Sequence, residues 1–597
     1  MLDISPITSL PGLAKPPKHH ILAPILNPAK SPGSTWSSFF PSLSFGGPSQ
    51  EEVSHKGHIS TLDKKKQVDQ KREIIGFQNP WPSWHKPTKS EMLASFQWGP
   101  DTDPCIPLAA SYALPARQIP PISQPSYSDL SNPESAASKA ARLLTVQKPD
   151  FTPCPVGKKA KVTWLGHASM LLQLSSGVSV VFDPIFSQRC SPSEYFGPIR
   201  TYQPPCQVGD LPRIDAVLIS HNHYDHLDQE SVMGIWGNNK DRVRFFVPLG
   251  IGKMMVDLWG LPKERVVEMD WWDNVALTGL TQGSVKVWCT PAQHNCWRSG
   301  SGKSGEPNGS LWASWMVEDL QSRDGEELYR VFFGGDTGYQ FHTDPAWPPL
   351  PPTNWKRGDP LPPAEKEKPE DYPPCPAFKE ISDNIGPPDL LLLPISVGAS
   401  FAYLRSFTTW MPDWGNPMPR HTQGVTGANH MPPWDAVRVF KEMTEGGKGK
   451  AVAVGLHWGT FATEPEEVLK TLGGLEWACE RQGIGFGRGW DGKHDEGVED
   501  KVFLAVNQGE IESLPSTLPP DDAGHLGLYS TFGSLSLEAV SLQLDEPNPY
   551  NLRQTARNFL ATRDFARRRC WASKAGHGAV IRVVQRIDVK TIDHIRH

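Results

Sequence analysis

The sequence predicts an α/β fold, and three observations carry that reading. Apolar runs of strand length alternate with stretches of helical period from residue 161 to residue 506. Several of these runs end on an imidazole or a carboxylate: His167, the group that begins at His221, His294, Asp336 and His457. Such architectures gather their functional groups at strand ends. The densest proline segments fall between the runs, so they read as surface insertions rather than breaks in the core.

Taken in order, residues 1–75 are rich in Pro, Ser and Lys and read as a mostly disordered N-terminal region, with a basic cluster at Lys64-Lys65-Lys66. Order starts at 76–84, where paired Trp and Pro suggest an extended segment laid over a body. An Ala-rich stretch at 133–145 suggests a short helix. The core of the domain runs over 159–510. It opens with strand, glycine turn and strand over 161–174, followed by strands at 178–182, 215–220 and 243–248. A helix is expected at 250–258 and strands at 285–290, 311–317 and 329–334. Then come a helix at 376–384, a fully apolar strand at 389–394 and a helix at 432–441 with proline in its first turn. A strand at 451–455, a helix at 464–482 and a strand at 502–506 complete the pattern. The insertions are 298–309, 341–374 and 404–428. Residues 511–597 form a tail of unassigned role with a β-like run at 579–585.

The chain has 597 residues and a net charge of −6, which disfavours a general nucleic-acid binder. Its 22 tryptophans suit a core, an apolar ligand groove or a membrane interface. The nine cysteines are scattered and form no CxxC, so neither a disulfide framework nor a cysteine zinc site is expected. No apolar run reaches the roughly 18 residues that a membrane span needs, and the N-terminus lacks the apolar core of a signal peptide. The expected location is intracellular, cytoplasmic or peripheral on an internal membrane. Gly302-Lys303-Ser304 is no nucleotide loop, because Trp297 stands where that motif needs glycine.

The chemistry concentrates in His221-Asn222-His223-Tyr224-Asp225-His226-Leu227-Asp228, directly after the apolar run 216–220. Alternate positions of an extended chain point one way, so His221 and His223 can share one cation. A turn after Asp225 swings Asp225 and His226 toward a second. Imidazole and carboxylate donors suit zinc and similar borderline metals. A two-metal site needs about three protein ligands per ion and a shared one. His221, His223 and His294 would hold the first ion, and Asp225, His226 and His457 the second. Asp336 would bridge, since a carboxylate spans ions ~3.5–4 Å apart. Water held between such ions is a nucleophile near neutral pH.

The HxHxDH cluster resembles the signature of the metallo-β-lactamase superfamily. Asn79–Trp84, Asp183–Ser187, Ser191–Pro198, Asp270-Trp271-Trp272, Gly335–Tyr339 and His457–Ala462 are similar to one branch of it, the N-acyl-phosphatidylethanolamine-hydrolysing phospholipase D family. The resemblance covers 76–510 outside the insertions. It implies an αββα four-layer sandwich, two zinc ions on the same seven ligands, and peripheral contact with a membrane that supplies a phospholipid substrate. The implied reaction is phosphodiester hydrolysis to phosphatidic acid and an N-acylethanolamine, with a metal-bridging hydroxide attacking phosphorus. Asp225, Asp336 and Tyr224 would then be catalytic. Tyr195, Phe196, Tyr224 and His430 would contact substrate, the first two in an acyl groove. A homodimer is also implied. The segment 395–430 matches the family poorly, which leaves head-group preference open. The alternatives are another hydrolase of this superfamily, lactonase-like and acting on a small ester, or a non-enzymatic scaffold.

Overall fold

The computed structural model describes residues 3–13, 17–24, 72–97, 103–111, 120–278, 283–298, 307–320, 328–342, 351–352, 354–362, 372–395, 411, 421–422, 426–447, 451–489, 501–515, 569–575 and 578–584. The basic cluster at 64–66, most of 404–428 and most of the tail lie outside these residues. The chain divides into two compact units, Met1–Pro519 and Pro520–His597. The described part of the second is an antiparallel hairpin of Arg569–Ala575 and Gly578–Val584, where the sequence shows its β-like run.

The first unit is built on two sheets. One contains β1 (Lys158–Gly166), β2 (Ser169–Leu174), β3 (Ser179–Phe182), β4 (Ala216–Leu218), β5 (Arg244–Pro248) and β6 (Val266–Met269). The other contains β7 (Asp273–Thr278), β8 (Val285–Thr290), β9 (Ser314–Asp319), β10 (Tyr329–Phe333), β11 (Leu390–Pro394), β12 (Ala451–Leu456), β13 (Gly485–Gly487) and β14 (Lys501–Leu504). β15 (Ile511–Pro515) returns to the first sheet, which runs β6-β5-β4-β3-β2-β1-β15. In the second the order is β7-β8-β9-β10-β11-β12-β14-β13. Each sheet is antiparallel where strands follow as hairpins, as in β1-β2-β3 and β7-β8-β9-β10. Each is parallel where other segments intervene, as in β3-β4-β5 and β10-β11-β12.

Strand alternation sorts the side chains into two cores. Ala216 and Leu218 enter the larger core, while Val217 and Ile219 enter a second cluster with Val232, Ile235, Met254 and Met255. Those last four belong to helices α1 (Gln229–Asn238) and α2 (Gly252–Asp257), which cover the first sheet. The larger core joins the two sheets, and the Phe182 and Phe333 rings stack across it at 4.5 Å. Helices α3 (Ala377–Ile385), α4 (Pro433–Met443) and α5 (Pro465–Gln482) cover the second sheet. Phe378 of α3 meets Phe332 at 6.3 Å, and Phe440 of α4 meets Phe503 at 5.8 Å. The layers are therefore helix, sheet, sheet, helix, the αββα arrangement expected. α5 begins on a capping box of Glu464 and Glu467 with proline in its first turn, and ends at Gly483 in the left-handed region (φ 65°).

Two boundaries differ from the sequence reading. Asp3–Ile4 and Thr8–Ser9 pair with the outer edge of β7, and His20–Pro24 pairs with Arg72–Phe77. At the other end β15 lies in the first sheet, past residue 510 where the domain was expected to stop. Strands of two residues carry no periodicity, and their partners lie hundreds of positions away. Among the described residues no helix is long and apolar enough to cross a membrane.

Candidate metal centre

The turn after β1 delivers His167, the turn after β4 delivers 221–226, and the ends of β8, β10 and β12 deliver His294, Asp336 and His457. Several of these turns are tight. His167, Asp183 and His457 have φ of 51°, 38° and 63°, a region that L-residues other than Asn and Asp seldom enter. Gly335 (φ 63°) has no alternative, because a Cβ there would lie 2.7 Å from that of Ser220.

The side chains form two groups, His221, His223, His294 and Asp336 in one, His167, Asp225, His226 and His457 in the other, with the donor atoms of each group within 4.8 Å of one another. Asp336 lies between them. Its Oδ2 is 3.5 Å from His294 Nε2, 3.4 Å from His457 Nε2 and 3.7 Å from His226 Nε2. Asp225 Oδ2 is 3.0 Å from His167 Nε2 and 3.6 Å from His226 Nε2. All seven predicted ligands are thus brought together, in the predicted division. His167 is an eighth member that the sequence marked as a strand end but did not place in the set. His430 Nε2 sits 2.8 Å from Asp336 Oδ2, beside the two groups.

This donor set fits cations. His221 Nε2 and His223 Nδ1 approach to 2.7 Å, and His226 Nε2 and His457 Nε2 to 3.1 Å, so ring nitrogens converge where a cation would relieve them. Among the described residues Asp336 Oδ1 is buried without a hydrogen-bond partner. Two of the outward ring nitrogens are held by other groups. His294 Nδ1 donates to the Asn429 carbonyl at 3.0 Å and His226 Nδ1 to Asp183 Oδ2 at 2.7 Å, which turns each Nε2 inward. Asp183 also accepts from the Ser220 amide at 2.6 Å and its hydroxyl at 2.5 Å. The Asn79 side chain brackets the His294 backbone, donating to its carbonyl at 2.7 Å and accepting from its amide at 3.2 Å.

Tryptophan indoles secure the same turns. Trp164 Nε1 donates to the His167 carbonyl at 2.8 Å, Trp315 Nε1 to that of Ile219 at 3.1 Å and Trp312 Nε1 to that of Ala292 at 2.9 Å. These three of the chain's many tryptophans are core residues. Sequence reasoning missed Asp183, Asn79 and these indoles; the Asp-Pro pair that ends the 178–182 run was the available signal.

Burial pushes His167 down to about 3, helped by His457, and His223 down to about 4. His221 and His294 are held well below the usual value by the same cause. Burial alone would raise Asp225 and Asp336, but the surrounding imidazoles overcome it and hold both well below the usual carboxylate range. Between the ordinary histidine value of 6.5 and about 3 to 4, folded His167 and His223 bind fewer protons than when unfolded. Their stabilisation is present above that window and is lost as pH falls through it. The ion-free protein is therefore expected to melt at progressively lower temperature from pH 7 to pH 4 in calorimetry, and a flat profile would contradict it.

Beside the cluster opens a cavity of about 550 Å³ lined by Tyr224, Arg298, Asp228, Arg189, Glu194 and Trp259, among others. The Arg298 guanidinium lies 4.0 Å over the Tyr224 ring and donates to the Leu227 carbonyl at 2.8 Å, clamping the histidine turn. Tyr195 and Phe196 do not line this cavity. They stand 79% and 76% exposed next to Glu194, which does.

A family description, Beta-lactamase superfamily domain, matches residues 179–346. An uncharacterized protein of Mycobacterium tuberculosis is 34% identical over 330 residues, 55% of this chain and 66% of that protein, so the match spans just under two thirds of the relative's length. N-acyl-phosphatidylethanolamine-hydrolyzing phospholipase D 1 of Caenorhabditis elegans is 28% identical over 58% of this chain and 74% of its own. The mitochondrial protein of that name from Saccharomyces cerevisiae is 33% identical over 32% of this chain and 37% of its own. Residues 179–346 are thus similar to the β-lactamase superfamily domain, in keeping with the αββα layers and the strand-end cluster, and the chain has homologues among the N-acyl-phosphatidylethanolamine-hydrolyzing phospholipases D.

Proposed function

We propose that the chain is a metal-dependent hydrolase that uses two zinc ions to cleave N-acylphosphatidylethanolamine to N-acylethanolamine and phosphatidic acid. The observation that carries this is the Asp336 carboxylate, set within 3.4–3.7 Å of imidazoles from both four-donor groups. His221, His223 and His294 would hold one ion, Asp225, His226 and His457 the other, and Asp336 both. Zinc held there would supply polarisation of phosphoryl oxygens and a water that is nucleophilic near neutral pH.

The chain's own groups serve the reaction in distinct ways. Lowered pKa values keep the His221, His223 and His294 rings unprotonated at neutral pH. His430 orients Asp336 through its 2.8 Å contact. Tyr224 and Arg298 line the adjoining cavity and bring a hydroxyl and a positive charge toward phosphate oxygens. Tyr195 and Phe196, exposed beside that cavity, are suited to touch acyl chains or the surface of a bilayer.

A second reading, hydrolysis of a small water-soluble ester, is favoured by the polar lining of the cavity, which includes Ser187, Gln188, Glu194 and Asp228. Mass spectrometry of products from a mixed panel of phospholipids and soluble esters separates the two. Release of N-acylethanolamine is expected; cleavage of the soluble esters alone would replace the first reading by the second.

A further inference from the structure

Neighbouring residues of an extended chain point to opposite sides. His19 and His20 do not, because a turn at Lys18-His19 precedes the strand that starts at His20. His19 Nε2 lies 2.7 Å from Asp270 Oδ1, and His20 Nε2 lies 2.8 Å from Asp270 Oδ2. The side chains are 7%, 8% and 19% exposed, in the same order. None of the three belongs to either group of the centre described above.

We propose that His19, His20 and Asp270 form a third cation site, for zinc or a similar borderline divalent ion, which fastens the N-terminal arm to the domain. Their donor atoms lie within 4.8 Å of one another, a span that an ion with bonds of ~2.0–2.1 Å closes by small side-chain rotations. A plain pair of hydrogen bonds does not account for the geometry. His20 Nε2 is buried and near Asp270, yet off the line of a hydrogen bond to it. Two imidazoles and one carboxylate give three ligands, and water completes four.

The carboxylate is already fixed in place. Asp270 Oδ1 accepts from the Trp271 amide at 2.9 Å, and the Asp270 amide donates to Asp273 Oδ2 at 2.9 Å. The Trp271 ring packs 4.2 Å from His19 and stacks on Trp81 at 5.3 Å. The arm leads on to the metal centre. Gln78 donates its amide to the His19 carbonyl at 2.9 Å, and the next residue, Asn79, brackets His294. The site is thus a clip whose far end supports a residue of the centre, without touching the reacting atoms.

The test is a zinc count by equilibrium dialysis on the full chain, with and without His20→Gln, and again with and without it in a His221→Ala background. The expected result is one equivalent fewer with His20→Gln in both backgrounds. Because the readout is a difference, it stands whether or not the central groups hold zinc. Equal zinc content with and without the substitution would reduce the cluster to an ion pair and overturn the proposal. Should His20→Gln not fold, as judged by circular dichroism, Asp270→Asn takes its place with the same two outcomes.

Discussion

Asp336→Asn is expected to lower kcat on the order of a thousandfold while leaving the fold intact. An amide keeps the shape of the side chain but loses its charge, and presents N–H groups where two cations are proposed. Ions in such a centre supply several kcal/mol of transition-state charge stabilisation, and each 1.36 kcal/mol is a factor of ten. The position is buried in a loop between core strands, and its oxygen is shared among His226, His294, His430 and His457, so no neighbour substitutes for it. The checks are steady-state turnover on the substrate found by mass spectrometry, bound zinc, and far-UV circular dichroism. Turnover within tenfold of the parent, with an unchanged spectrum, would move the chemistry away from this cluster.

The second large effect belongs to a residue that touches no proposed ion. Asp183→Ala removes the acceptor for the Ser220 amide, the Ser220 hydroxyl and His226 Nδ1, all buried. Stranded donors cost ~1–3 kcal/mol each, so for the three of them destabilisation of roughly 3–9 kcal/mol is expected in urea unfolding. Loss of the partner that turns a ligand imidazole inward lowers metal affinity ~10–100-fold. Asp183→Asn separates the two effects. Its amide oxygen still accepts from Ser220, so stability largely returns, but its N–H groups cannot hold His226 and zinc affinity stays low in a chelator competition. Full zinc affinity in Asp183→Asn would show that His226 is oriented by something else.

The centre was legible because its donors announce themselves: an octapeptide with three imidazoles and a carboxylate after an apolar run, and single donors at the ends of later runs. The αββα layers were not read from periodicity, which marks strands but not their partners. They came with the resemblance, and the split of Val217 and Ile219 from Ala216 and Leu218 into two cores gives their physical basis. The supports were illegible. Asn79 acts on His294 across 215 positions through two hydrogen bonds, and Asp183 acts on His226 across 43 through one, and neither contact leaves a pattern in composition or spacing. Tyr195 and Phe196 show the reverse, a string that matches a family while its side chains stand out in solvent.

The left-handed backbone at His167, Asp183 and His457 bears on how the protein lives with its ions. The bends are imposed by sheets closed on two apolar cores. Small zinc domains fold only around their metal, and chelators denature them. Here the bends that aim the donors are set by sheets closed on two apolar cores, so the shape of the cluster is a property of the packing around it.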